Sequence, residues 1–458
     1  MPHPPRNRFR GQAVVIGAGI GGLTAARVLA DHFEQVVLVE SGMLPAVAGP
    51  REGVPQARHV HGMLARGARQ LEALFPGLQA ELIAAGAPLF DHGLLASTTV
   101  FAGRVPRVRG GVQAHGFSRD LLEWSLRQRV VSRPRVTVRD RSRVTGLRWS
   151  REARRVVGVR LAGGEVLDAE LVVDASGRFS KLPHWLVEAG FPRPAVKVVD
   201  AGLAYATMLF DAPGQGFEAL QHMNSAPDRP RGAFVVHIEG GRWAVTVFGA
   251  GGDHPPTDEQ GWWAFAKTLG NDDLDALLAS ATPVKGTGIH GFKRTENRRN
   301  EYAAIRRWPR RLVAIGDSVA AFDPVFGQGM TVSILQAHAL GETLARSGDL
   351  DTVARRTQRR VAAIVRTPWL MSVSEDLVWH HHRERGTLPL WLRPVLWYKR
   401  RLIRLVVADP EVFRMFLSVY HMVEPPTALV GPRVLAKALF KARRRWPVTP
   451  VTGNEGTR

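Results

Sequence analysis

The sequence predicts an α/β chain: a parallel-sheet domain built in pieces, an antiparallel β-sheet inserted between them, and a helical C-terminal region. Three observations predict it. Gln12 to Glu40 reads as strand, glycine turn, helix and strand. Short, fully apolar runs return at Leu171–Val173, closed by Asp174, and at Leu312–Ile315, as buried parallel strands do. From 196 to 293 the pattern instead alternates with the period of two expected of half-buried strands.

The opening unit carries the first chemistry. Gln12-Ala13-Val14-Val15-Ile16 runs into Gly17-Ala18-Gly19-Ile20-Gly21-Gly22, then into the helical stretch Leu23 to Ala30 and the strand Val36–Val39, closed by Glu40. Gly17 permits a tight turn, Gly19 lets backbone approach a pyrophosphate, and Gly22 lets the helix pack close on the sheet. The free N–H groups of the helix start favour an anion. Glu40 stands where a carboxylate takes a ribose hydroxyl. This is the pattern of a Rossmann-like dinucleotide-binding βαβ unit.

The following elements are expected in order. Residues 41–63 form a loop rich in proline and glycine that ends in Gln56-Ala57-Arg58-His59-Val60-His61. Residues 64–86 have helical spacing, broken into two helices at Pro76-Gly77. Residues 97–108 pair as strands around Gly103. Ser118 is positioned to cap a helix. Val136–Val138, Val144–Trp149 and Val156–Leu161 are short strands, with a hairpin closing at Gly163-Gly164. In the inserted sheet, Glu239-Gly240-Gly241-Arg242 turns one strand into the next, and Pro255 to Glu259 opens a helix. Ala233, Val235 and His237 alternate with Phe234, Val236 and Ile238, and Trp243, Val245 and Val247 with Ala244, Thr246 and Phe248. One of these faces lines a pocket, and the strand pattern alone does not say which. A helix from about Gly329 to Ser347 and another from Leu350 to about Thr367 precede a basic, aromatic tail. The expected organisation is 1–195, 196–295, 296–367 and 368–458: nucleotide domain, substrate sheet, nucleotide domain resumed, helical region.

The chain has 458 residues, no cysteine, and 62 Lys+Arg against 41 Asp+Glu, a net charge of +21. The missing cysteines exclude disulfides, thiolate catalysis and Cys-based zinc sites. The charge is compatible with nucleic acid, an anionic membrane or anionic cofactors. No nucleic-acid reader module is present and the arginines are spread over the whole chain, so no nucleic-acid partner is expected. Met1 to Gln12 has no apolar core of a secretory signal, and no run approaches a spanning helix. The expected location is the cytoplasm, with peripheral membrane association as a second expectation.

Three segments converge: Gly17/Gly19/Gly22 with Glu40; Asp174-Ala175-Ser176-Gly177-Arg178; and Gly316-Asp317 followed by Asp323-Pro324-Val325-Phe326-Gly327-Gln328-Gly329-Met330. In this order they resemble the FAD-dependent monooxygenases of the p-hydroxybenzoate hydroxylase and squalene epoxidase type, with the nearest likeness to bacterial epoxidases of polyether biosynthesis. The shared stretches include Val54 to His61, Gly316-Asp317-Ser318, Phe326 to Thr331, Pro368-Trp369-Leu370, Asp376, Asp409-Pro410 and Pro425-Pro426. The resemblance covers nearly the whole chain. It implies a glutathione-reductase-type FAD domain, FAD as cofactor, NAD(P)H and O2 as co-substrates, and oxygen transfer from a C4a-hydroperoxyflavin to a lipophilic polyketide or terpenoid. It further implies cofactor contacts from Gly17, Gly19, Gly22, Glu40, Arg51, Gln56, Arg119, Asp174, Gly177, Gly316, Asp317, Gly329 and Met330. Pro324, Phe326, Gly327, Gln328 and Gly329 would lie next to the flavin. A separate flavin reductase is a further partner that the resemblance allows.

Two positions depart from the family's pattern. Ser41 stands where relatives carry Arg, and Asp323 where they often carry Asn. His59 and His61 have no third ligand at zinc spacing, so no metal is expected. His380–His382 is expected on a solvated helix face, with Glu375 and Asp376 as neighbours that could pair with it. Leu390 to Leu405 and Val434 to Trp446 mix apolar and basic residues, as interfacial helices do; packing against the FAD domain is the competing expectation. The WxWxIP segment of flavin-dependent halogenases is absent. A reductase of isoprenoid alkenes and a non-catalytic FAD-binding protein are the alternatives.

Overall fold

A computed structural model describes residues 9–51, 53–150, 152, 154–384 and 386–441. The N-terminal lead before Phe9 and the end of the Val434–Trp446 segment lie outside the described residues.

The chain begins with β1 (Phe9–Ile16), α1 (Ile20–Leu29) and β2 (Phe33–Val39). The apolar residues of both strands are buried, and α1 is apolar on nearly all sides because it lies between the sheet and another helix. After the loop come α2 (Ala65–Leu74), a second short helix at Leu78–Ala84 and β3 (Ala96–Val100), then α3 (Arg119–Val131), β4 (Val136–Arg139) and β5 (Leu171–Asp174). Gly77, with φ +84, makes the turn between the two short helices. Ser118 caps α3 by accepting from Leu121 N at 3.1 Å.

The inserted region comprises β6 (Ala204–Asp211), β7 (Ala219–His222), β8 (Arg231–Ile238), β9 (Arg242–Gly249), α4 (Glu259–Lys267) and α5 (Asp272–Ser280). The chain then returns through β10 (Leu312–Ala314) to α6 (Gly329–Ala345), α7 (Leu350–Arg383), α8 (Leu392–Ala408) and α9 (Pro410–Tyr420).

Two sheets organise these pieces. The first has the order β10-β5-β1-β2-β4, all parallel. Strands from three distant parts of the sequence therefore end at one edge, where α1 and α6 begin. The second sheet runs β6-β9-β8-β7-β3 with short strands at its margins. β6, β9, β8 and β7 are antiparallel to their neighbours, but β3 joins β7 in parallel, Gln221 opposite Thr98. The inserted sheet also takes in strands at 96–100 and 103–104 from earlier in the chain, a pairing whose long sequence separation leaves no local signal.

The inserted sheet has one dry face. Ala206, Met208, Ala233, Val235, Trp243, Val245 and Val247 pack on Trp262, Phe265, Leu274 and Leu277 of α4 and α5. The Val, Leu, Met and Phe side chains among them each contribute roughly 1.5–3 kcal/mol. The opposite face carries Tyr205, Thr207, Phe234, Thr246 and Phe248, and it is this face that turns to the rest of the protein.

α7 does not stop at Thr367. It continues through Pro368 to Arg383, 34 residues in all. A proline in a helix interior costs about 3 kcal/mol. Here the loss is offset by burial on both sides: Val365 and Trp369 sit in the main core, and the Arg299 guanidinium lies 5.1 Å from the Trp369 ring centre.

Glycine packing at the turn gives a test of the architecture. A Cβ on Gly22 would lie 1.7 Å from the Gly17 carbonyl oxygen, whereas one on Gly49 would meet nothing within 4 Å. Gly22→Ala is expected to cost more than about 3 kcal/mol and Gly49→Ala to be near neutral, measured as shifts in the denaturant midpoint. Equal midpoints for the two variants would contradict the packing.

Candidate functional site

The edge where β1, β5 and β10 end opens on a groove with a volume of about 510 Å³. Its floor is the glycine turn. Gly17 takes φ +97 against the Ala175 and Ser176 backbone, while no atom lies within 4 Å of the place a Gly19 Cβ would occupy. The N-terminus of α1 faces this opening, and α6 brings a second N-terminus at Gly329. Two helix starts with unpaired N–H groups suit an anionic or electron-rich ligand.

Most of the residues singled out in the sequence meet here. Gly17, Gly19 and Glu40 line one stretch of the groove, with Arg51, Gln56 and Arg119 beside them. Gly177, Gly316 and Asp317 follow, then Pro324, Gly327, Gln328, Gly329 and Met330. Three do not line it. Gly22 packs under the turn, as its spacing implies. Asp174 is fully buried and accepts from Ser176 N at 3.1 Å, Ser176 Oγ at 2.5 Å and Ser180 Oγ at 2.6 Å, so its carboxylate shapes the 175–180 turn that presents Gly177. Phe326 faces a second cavity.

At the Glu40 end, the carboxylate accepts from Ala18 N at 2.8 Å and Gly42 N at 3.1 Å. Ser41 donates to it at 3.1 Å. The positive charge that Ser41 does not supply comes from two arginines. Arg51 reaches Ala18 O at 3.1 Å and Glu40 at 3.4 Å, and Arg143 lines the same wall. Arg143 belongs to no motif, so spacing had no means of selecting it.

Arg119, at the first turn of α3, holds Glu123 at 2.7 Å and donates to His61 Nε2 at 3.4 Å. Its position is set from the inserted sheet: Glu239, in the turn between β8 and β9, accepts from Ser118 N at 2.9 Å. Asp317 is half-buried near Arg119 and Arg178. Burial raises its carboxyl above the ordinary range and the two guanidinium groups oppose the rise.

The loop histidines are neutral side chains. Burial brings His59 and His61 down to about 3, with charge from neighbouring groups adding to it. Since an arginine only donates, His61 accepts at Nε2 and gives its Nδ1 proton to His59 O at 2.8 Å. His59 Nδ1 lies 2.7 Å from Thr207 Oγ1 and its ring meets Tyr205 edge-on. Among the described residues no cluster could hold a metal ion.

Asp323 is buried and accepts from Val325 N at 2.7 Å, capping the turn that carries Pro324 to Phe326. Asn297 joins this turn to α7: its Oδ1 accepts from Asp323 N at 2.9 Å and from Ser372 Oγ at 2.8 Å, and its Nδ2 donates to Asp376. Burial pushes Asp323 up to about 6. It pushes Asp376 well above the carboxylate range, with Asp323 beside it as a second cause. Neither Glu375 nor Asp376 pairs with the α7 histidines. Glu375 takes Lys399 at 2.5 Å and Ala226 N at 3.1 Å.

A second cavity of about 750 Å³, walled mainly by apolar side chains, lies between the inserted sheet and the C-terminal helices. Val100, Val105, Met223, Leu402, Phe413 and Leu417 are among its walls, and Val325 and Phe326 close one part of it. The 324–328 turn therefore lines both spaces, Pro324, Gly327 and Gln328 in the groove and Val325 and Phe326 in the cavity.

The groove fits FAD. Its donor set is the glycine turn and two helix starts for a diphosphate, carboxylates at Glu40 and Asp317 for ribose and ribityl hydroxyls, and aromatic residues Tyr205 and Phe292 beside the 322–330 loop. Arg51 Nε and Gln328 Oε1, both at the groove, are buried polar atoms without a protein hydrogen-bond partner, which a ligand would satisfy.

Fold and groove define the class: the FAD-binding fold of the p-hydroxybenzoate hydroxylase type. PqsL, a probable FAD-dependent monooxygenase from Pseudomonas aeruginosa, superposes with a TM-score of 0.60 at 18% identity, over 82% of this chain and 100% of its own. The chain belongs to the family of Protein Rv3254 of Mycobacterium tuberculosis, with 35% identity over 453 residues, 95% of this chain and 94% of that protein. A kynurenine 3-monooxygenase of Salinispora tropica is 26% identical over 76% of this chain and 75% of its own. No family model matches the sequence.

The raised Asp323 predicts a pH effect. The folded state keeps a proton that the unfolded chain releases near the ordinary value of 3.8, so this contribution to stability is present below about pH 4 and lost as pH rises through 6. Asp323→Asn keeps the cap and removes the titration. Its stability relative to the parent should rise by roughly 1–3 kcal/mol between pH 4 and 7, read from urea midpoints; a flat difference would mean that Asp323 ionises normally.

Proposed function

We propose that this chain is an FAD-dependent monooxygenase that uses NAD(P)H and O2 to place one oxygen atom on a lipophilic polyketide or terpenoid, by epoxidation of an alkene. One observation carries the reading: the large apolar cavity and the FAD-type groove share the 324–328 turn as a common wall. A substrate in the cavity would meet the reacting end of a cofactor in the groove across that turn.

In this reading Gly17, Gly19 and the start of α1 take the diphosphate, with Gly22 as the packing residue beneath them. Glu40, flanked by Arg51 and Arg143, takes the adenosine ribose. Asp317 takes the ribityl chain, Gln56, Arg119 and Gly177 flank it, and the start of α6 at Gly329-Met330 favours negative charge at the flavin pyrimidine. The bound flavin supplies the activation of O2. The chain's own residues bind and orient the substrate and exclude water from it. The mainly apolar walls suit a lipophilic substrate: Glu375 and Lys399 pair with each other, and the further cations of the wall, Arg393 and Arg400, are exposed.

Product mass spectrometry with FAD, NAD(P)H and ¹⁸O-labelled O2 tests this on a panel of lipophilic polyenes. The expected product carries one labelled oxygen, with substrate-stimulated NAD(P)H oxidation. Oxidation without incorporation from every alkene and arene would overturn the reading.

A membrane face is a second reading, carried by a specific patch. Leu370, Leu390, Trp391, Val395 and Trp397 are exposed on α7, α8 and the loop between them. Arg393, Trp397 and Arg400 also belong to the cavity wall. An exposed apolar and basic rim at a greasy cavity suits docking on an anionic bilayer and uptake of substrate from it. No helix of the described residues is long and apolar enough to cross a membrane. The protein should co-sediment with vesicles containing phosphatidylglycerol, and Trp391→Glu with Trp397→Glu should weaken this at least about tenfold, ~1.4 kcal/mol. Vesicle binding unchanged in the double variant would remove this face from the account.

A further inference from the structure

One wall of the apolar cavity is not apolar. His92, Gln221 and Tyr420 line it together, from a short helix before β3, from β7 and from the end of α9. Behind them, away from the cavity lining, stands His421, which is almost fully buried. None of these groups has a part in the proposed handling of the cofactor.

Their protons can be placed by hydrogen-bond logic alone. Ala65 N lies 3.0 Å from His421 Nδ1. A backbone N–H only donates, so Nδ1 accepts, and in the neutral ring Nε2 carries the proton. His421 Nε2 lies 2.9 Å from His92 Nδ1, which must therefore accept. The His92 proton is thereby forced onto Nε2. Gln221 stands beside both His92 and Tyr420 on the cavity wall; it acts to raise His92, as an accepting amide oxygen does, and opposes the rise of Tyr420, as a donating NH2 does. Its amide oxygen is needed by His92, which turns its NH2 group to the Tyr420 oxygen. The phenol proton and the second amide N–H remain. Among the described residues no protein acceptor is recorded for either.

We propose that Gln221 and Tyr420 form a neutral, donor-only anchor for one carbonyl oxygen of the substrate, with its polarity set through His92 and His421 by the backbone N–H of Ala65. The proposal rests on the cavity being the substrate site. It deepens that reading: the ligand is mainly apolar but carries a ketone or ester oxygen. Every group of the anchor is uncharged, so it holds the oxygen by hydrogen bonds alone. Burial lowers His92 to about 4 and His421 well below its ordinary value, so both stay neutral. The Tyr420 phenol is raised to about 12 by burial and keeps its proton.

The test is binding to the FAD-loaded protein, followed by the quench of tryptophan fluorescence, with two probes of equal length: 2-undecanone and undecane. The parent should bind the ketone at least about fivefold more tightly, because the alkane leaves the buried donors unpaired. Tyr420→Phe and Gln221→Leu should each weaken the ketone about five- to tenfold and leave the alkane unchanged. His421 acts as a positioning residue. His421→Leu should lose the ketone preference and also release the His92 tautomer, seen as averaged ¹⁵N ring shifts in place of a single protonated Nε2. Equal affinity for the two probes in the parent, equal loss of both in Tyr420→Phe, or a His92 tautomer indifferent to His421 would overturn the anchor. Absence of binding by either probe would overturn the lipophilic cavity and the anchor with it. Since the readout is binding, a preference for the ketone without any oxygen incorporation would leave the anchor standing and fail the monooxygenase reading alone.

Discussion

The structure depends on one close approach of backbone to backbone. Gly17 turns with a positive φ against the Ala175 and Ser176 backbone, and Gly22 sits almost on the Gly17 carbonyl. Any side chain at Gly22 would separate α1 from the end of β1. The ends of β1, β5 and β10 would then no longer share one edge with the starts of α1 and α6. That shared edge is the groove. A contact with no side-chain chemistry of its own thus decides whether Glu40, Asp317 and Gly329 can act on one ligand.

A second constraint joins the groove to the cavity. Asn297 holds the backbone of Asp323, the hydroxyl of Ser372 and the carboxyl of Asp376 at once. The turn carrying Pro324–Gln328 is thereby tied to the middle of α7, the helix that also lines the cavity with Ser374, Glu375 and Val378. Buried polar networks of this kind are costly unless every member is satisfied. Here the cost is limited because burial favours the protonated carboxyls. Asp323 is accordingly not an exposed acid. It is a buried cap, raised by burial to about 6, so its charge appears only as pH rises through that value.

Much of the groove was legible because its contacts are local. A glycine turn and a carboxylate closing the second strand announce themselves within a few residues, so Gly17, Gly19 and Glu40 could be selected from spacing, whereas Asp317 and Gly329 were selected through the family resemblance. Asp174 shows the limit of such reasoning: the right residue type at a strand end, it faces two serines and not the groove. Arg143 shows the converse, a groove residue in a loop without a pattern. The end of α7 was missed because Pro368 is a local stop signal and the burial that overrides it comes from elsewhere in the chain.

By itself the sequence determined the α/β class and the dinucleotide-type turn, since both follow from periodicity and glycine sterics over short spans; that the three segments build one groove was implied by the family resemblance. Only the tertiary structure decided which face of the inserted sheet is dry, that β3 joins it in parallel, and that the C-terminal helices close a cavity rather than merely cover the nucleotide domain. It alone brought His92, Gln221 and Tyr420 to one wall with His421 behind them. These features are pairings between residues far apart in the chain, and alternation within a strand names two faces without saying what will pack on either.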